Sequence, residues 1–175
     1  PSGDVDVKGR PVVAASLALA LIASLFLFKL WTGEGIVYSG KSDIIAYSAG
    51  VKKTVERARS VEGSYALWDP SINAGAPAHA NPLTMQAFPL HWPYLFLPLD
   101  KATNLVVLLH VLLAGIGMFL LSSRMLKEPA AAFFSAVAYM LCHRYLAMIH
   151  AGWLQAMSLY ALMPLLFWAL DRLLE

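Results

Sequence analysis

Charge is scarce in this chain. Of its 175 residues only 14% are Asp, Glu, Lys or Arg, where an ordinary soluble domain carries about 25%. The 13 basic and 11 acidic residues leave a formal net charge of +2. No Lys/Arg cluster and no RNA- or DNA-binding motif occurs, so nucleic acid is excluded as a partner. Cysteine is scarcer still. The single Cys142 rules out an internal disulfide and a Cys-based zinc site. Set in an apolar run, it reads as a small hydrophobe. The chain has no P-loop, no dinucleotide glycine fingerprint, no HExxH and no nucleophile elbow. No metal-ligand spacing is present, and no pattern names a cofactor.

What is abundant is apolar. Hydrophobic residues make up 59% of the chain, the mean hydropathy is +0.61, and the apolar residues are bunched into long runs. The first run, 11–31, is uncharged until Lys29. About 20 residues at 1.5 Å each cross a ~30 Å hydrocarbon core. Lys29 can snorkel and Trp31 suits the headgroup belt. The run is longer than a signal-peptide core of roughly 7–15 residues and lacks a small-residue cleavage site, which favours an uncleaved span. Further runs occupy 103–122, 130–142 and 154–171, joined by the segments 123–129 and 143–153. Pro129 suits a helix first turn and Pro164 kinks the last helix. The expectation is an all-α integral membrane protein with about four transmembrane helices. Lys8 and Arg10, Arg124 and Lys127, and Arg172 mark three short cytoplasmic flanks. The termini are then cytoplasmic, and the 32–102 loop and the 143–153 turn lie outside. These features describe a multi-pass protein of the inner (plasma) membrane.

The large loop between the first two spans has structure of its own. Ile44, Tyr47, Val51, Val55, Ala58 and Val61 fall at helical spacing, with Lys52, Lys53, Glu56, Arg57 and Arg59 largely off that stripe. This predicts an amphipathic helix over 44–61, lying on the membrane or under the rest of the loop. A turn-rich stretch occupies 68–77. Aromatics and prolines then crowd 88–98, as suits a water–lipid interface.

Chemistry rests on single residues. Asp43 in Lys41-Ser42-Asp43 reads as a helix N-cap or as a general base near the membrane surface, which a hydroxyl acceptor attacking an activated sugar requires. Asp69, before Pro70, reads as turn chemistry. His110 lies within a span, where an ionisable residue faces the bundle interior. It bonds across helices or serves as a pigment or haem ligand. Arg144 has the geometry to hold a phosphate and equally to pair with lipid headgroups. His150 lies in the outer turn. Gly115 and Gly117 allow close helix approach.

In order, these features resemble the N-terminal part of bacterial multi-pass GT-C type glycosyltransferases, relatives of dolichyl-phosphate-mannose–protein mannosyltransferases. The resemblance is carried by Ser42-Asp43 with Tyr47, Trp68-Asp69-Pro70, Asn73-Ala74-Gly75-Ala76-Pro77 and Leu109-His110. Leu113-Ala114-Gly115, Met118, Ala136 to Tyr139, Pro164-Leu165 and Asp171-Arg172 continue it. It implies a polyprenyl-phosphate sugar donor entering from the bilayer and transfer on the extracytoplasmic side. Asp43 is then the base that activates the acceptor hydroxyl, with Arg144, His150 and His110 as candidate binding residues. Where such proteins often read Gly-His after the third span, this chain has Gly152-Trp153, with His150 three residues before the Trp. Family members also carry more spans, so this chain alone is expected to be inactive. The alternative is a non-catalytic, glycosyltransferase-derived accessory subunit of a larger membrane complex, for example an energy-transducing or photosynthetic one. Its partners would be lipids and other membrane subunits.

Overall fold

In a computed structural model the described residues are 9–32, 43, 49–63, 65–82 and 84–174. The segments 33–42 and 44–48, including the expected start of the amphipathic helix, lie outside them. The chain is mostly helical: α1 (Gly9–Phe26), α2 (Lys29–Thr32), α3 (Ala49–Arg57), α4 (Pro93–Phe96), α5 (Leu99–Leu126), α6 (Pro129–Met140), α7 (His143–Ala151) and α8 (Leu154–Leu173). A two-residue antiparallel ladder pairs β1 (Trp68–Asp69) with β2 (Ala76–Pro77). Three stretches are long and apolar enough to cross a membrane: Leu99–Leu126, Pro129–Ala151 and Leu154–Leu173. At 1.5 Å per residue even the 20 residues of the last reach about 30 Å. The apolar part of α1, Val12–Phe26, is shorter. The helix breaks into a turn at Leu27 and Phe28 before α2.

The fold divides into two compact units. One comprises Pro1–Phe28, Leu108–Leu146 and Met157–Glu175; the other comprises Lys29–Val107 and Ala147–Ala156. In the first, helical unit, small residues set the packing. A Cβ on Gly115 would lie 2.7 Å from Met140 Sδ, and one on Gly117 would lie 2.9 Å from Leu165 Cγ. The two glycines therefore admit side chains of α6 and α8 that any other residue would displace. Pro164 sits inside α8. Having no N–H, it leaves the Tyr160 carbonyl without its helical donor. The Tyr139 hydroxyl of α6 fills that place, donating to Tyr160 O at 2.9 Å. The same two rings stack 4.5 Å apart at an interplanar angle of 5°. An Arg124–Asp171 ion pair joins the ends of α5 and α8.

The second, loop unit is built differently. One small apolar cluster in it is Val55, Ala58, Ala66 and Ala78, with Leu95 against them. Polar side chains supply the rest. Buried Gln86 acts as a strand partner for Ala66, accepting from its N–H at 2.9 Å and donating to its carbonyl at 3.0 Å. The helix that begins as α3 ends in a π-helical turn, Ala58–Glu62. A π turn inserts a residue and rotates the side chains after it about the helix axis. Val61, which the apolar stripe would place inward, is 75% exposed. Lys52, read from the sequence as outward-facing, is buried at 2% exposure.

Candidate functional site

Asp43 is the one described residue between 32 and 49. Its carboxylate Oδ2 accepts a hydrogen bond from the Trp153 indole Nε1–H at 2.7 Å, across 110 residues of sequence. The end of α7 places that indole. Gly152 adopts φ +80°, a left-handed conformation that costs glycine little. Its N–H bonds to Ile149 O at 3.2 Å while the Trp153 N–H reaches back to Met148 O at 3.0 Å. These are the paired bonds of a Schellman closure. The Gly152-Trp153 pair thus stops the helix and turns a long, rigid donor toward the carboxylate. Asp43 is half-buried and Trp153 is exposed, so the carboxylate remains within reach of an acceptor. Oδ2 is the oxygen that the indole engages.

The other sequence candidates are divided between the two units. Arg144 and His150 lie in the first and last turns of α7, both exposed. His110 is fully buried in the helical unit, where its Nε2 and Ser158 Oγ share a hydrogen bond of 2.7 Å. That is the interhelical bonding read for it. Gln155, in the loop unit, keeps a buried amide nitrogen with no partner among the described residues. No group of three His, Cys, Asp or Glu side chains suited to a metal ion occurs among the described residues.

Two polar centres in the loop unit escaped the sequence reading. The Lys52 ammonium donates to the Thr84 carbonyl, lies 3.1 Å from His91 Nδ1, and sits 4.3 Å above the centre of the Tyr94 ring. These three electron-rich partners match its three hydrogens. None is a carboxylate, and burial pushes the Lys52 pKa from 10.5 down to about 7. Burial likewise raises the Tyr94 phenol to about 12, against the hydrogen bond it makes to Thr103. Asp69 is the second centre. Burial alone would raise its pKa, but hydrogen bonds from the Ser71 hydroxyl, the Ser71 N–H and the Thr54 hydroxyl outweigh it. They measure 2.6, 2.9 and 2.9 Å and hold the carboxyl below its ordinary value. The Asp-Pro pair signalled the turn; nothing in the sequence signalled that Thr54, one helix away, would close it.

Among known proteins, no family model, no curated protein and no solved structure matches this chain.

Proposed function

We propose that this chain is the N-terminal membrane portion of a GT-C-like glycosyltransferase that transfers a sugar from a polyprenyl-phosphate donor to a hydroxyl acceptor outside the membrane. In this reading Asp43 is the general base. The observation that carries it is the Asp43–Trp153 hydrogen bond. A side chain from an element 110 residues away orients this carboxylate. An indole N–H can only donate, so the Asp43 oxygen it meets is held as an acceptor in a fixed orientation. The membrane-length helices fit the same reading. So does an arrangement of four spans, with α1 and α2 together serving as the first, both termini cytoplasmic and the 32–102 loop outside. A cysteine placed at exposed Ser60 in a Cys142→Ser background should react with an impermeant maleimide from outside intact cells; reaction only after lysis would reverse the orientation.

The test of the base is Asp43→Asn in the full-length membrane enzyme. Asn keeps an oxygen for the Trp153 N–H but cannot take a proton, so transfer from a polyprenyl-phosphate sugar should fall by about 10²–10⁴-fold with folding intact. Undiminished transfer would leave Asp43 a structural residue. A second reading, the accessory subunit, is favoured by the orphaned Gln155 amide, which a neighbouring protein would satisfy. Stoichiometric copurification of this chain with a larger complex, without transferase activity, would support that reading over the first.

A further inference from the structure

A pocket of about 220 Å³ opens on the loop unit beside the Trp68–Pro77 hairpin, lined by Thr54, Arg57, Trp68, Asp69, Pro70 and Ser71 among others. Drug-sized ligands occupy roughly 300–1,000 Å³, so this space suits a single ring. Its walls have three properties. Trp68 is 57% exposed and is backed by Gly75, whose missing Cβ would lie 2.6 Å from Trp68 Cζ2. With φ +119° at Gly75, another side chain is strained there as well as crowded. The indole is therefore a held platform that loses little freedom on contact. Second, the hydroxyl hydrogens of Thr54 and Ser71 are both committed to Asp69. Their oxygens are left to the pocket as acceptors only. Third, Arg57 is exposed and, among the described residues, its guanidinium makes no ion pair; it offers donors only.

A ligand for this surface brings an apolar face for the indole, hydroxyl hydrogens for two fixed oxygens, and oxygens for the guanidinium. Neither sign of net charge is favoured throughout the pocket: Asp69 repels an anion that Arg57 attracts, and Arg57 repels a cation that Asp69 attracts, so the opposed charges offset each other. We infer that this pocket binds one ring of a neutral saccharide, stacked by its C–H face on Trp68 and hydrogen-bonded to Arg57, Thr54 and Ser71. Asp69 is a positioning residue that sets both hydroxyls. The inference stands apart from the role of Asp43, because it requires binding and no transfer.

Saturation-transfer NMR on the purified full chain in detergent tests it, with methyl α-mannopyranoside, glucose, N-acetylglucosamine, phosphocholine and inorganic phosphate as separate probes. At least one sugar should receive saturation at its ring C–H protons. Trp68→Ala should weaken its binding about tenfold, and Trp68→Phe should retain most of it. Because Trp68→Ala also removes the contact with Gly75, Arg57→Met at an exposed site carries the same test without touching the hairpin, and should weaken binding severalfold. Three results would overturn the assignment. One is no transfer to any of the three sugars; another is transfer unchanged in both Trp68→Ala and Arg57→Met. The third is capture of phosphocholine or phosphate while the sugars fail.

Discussion

The helical unit and the loop unit solve the same problem with different materials. In the helical unit every backbone group but a few is satisfied within its own helix. Side-chain polarity is then a repair device: Tyr139 caps the carbonyl that Pro164 frees, and His110 meets Ser158. In the loop unit regular structure is brief, and buried Lys52, Asp69 and Gln86 hold backbone and side chains that no ladder holds. Around the hairpin the apolar cluster is one valine and three alanines, with Leu95 beside it, too small to fix those segments by burial alone at about 25 cal/mol per Å². This part of the loop unit therefore leans on directional bonds, and it should be the more sensitive to pH and to single polar substitutions.

The largest expected effect is a pH dependence confined to the loop unit. The Lys52 pKa falls from 10.5 in the open chain to about 7 in the folded one. Between those values the unfolded state binds the extra proton, so stability rises with pH across that window and is flat below it. The full rise is about 5 kcal/mol. Above pH 10 the Tyr94 phenol, held protonated to about 12, acts oppositely and stability falls again. Hydrogen exchange corrected for intrinsic rates should show this slope in the loop unit, and Lys52→Met should flatten it. An equal slope in the Met variant would remove Lys52 as the cause.

Next in size is Gln86→Leu. It strands the N–H and the carbonyl of Ala66, at about 1–3 kcal/mol each, and amide exchange from Ala66 to Ala78 should accelerate while α5 and α6 stay protected. Protection unchanged at Ala66 would mean that water replaces the amide. Tyr139→Phe makes the matching cut in the helical unit. It keeps the ring stack and removes one hydrogen bond, so a loss of about 1–2 kcal/mol in thermal unfolding is expected; no loss would mean that the Tyr160 carbonyl finds another donor. The smallest effect belongs to Arg124→Ala. Its partner Asp171 is half exposed, and such pairs are worth about 0–1 kcal/mol. A larger loss would make this ion pair part of the packing.

The contrast also explains what the sequence disclosed. Apolar runs announce α5 and α8, because length and apolarity are summed over many residues and survive local error; the run read over 130–142 lies in a longer stretch, Pro129–Ala151, whose α7 part was expected as an outer turn. Gly115 and Gly117 were legible as packing positions; Pro164, expected to kink its helix, lies inside a continuous α8. The site was less legible. Asp43 stood out beside its cap motif, but its donor lies 110 residues away. Gly152-Trp153 was legible only as a departure from an expected Gly-His. Lys52 was misplaced because three neutral partners, distant in sequence, replace the carboxylate that a buried cation ordinarily needs. The π turn after α3 was invisible, since a helical period assumes 3.6 residues throughout.

The bond from Tyr139 to the carbonyl above Pro164 has a consequence for biosynthesis. An unpaired carbonyl in hydrocarbon costs several kcal/mol, so α8 by itself is a poorer membrane segment than its composition suggests. It becomes a good one when α6 is beside it with a phenol to offer. Because α6 is made first, the donor is already in place when α8 leaves the ribosome, and the two segments are matched for release into the bilayer as a pair. A rearranged gene that placed α8 ahead of α6 would emit this helix with its backbone defect open to lipid.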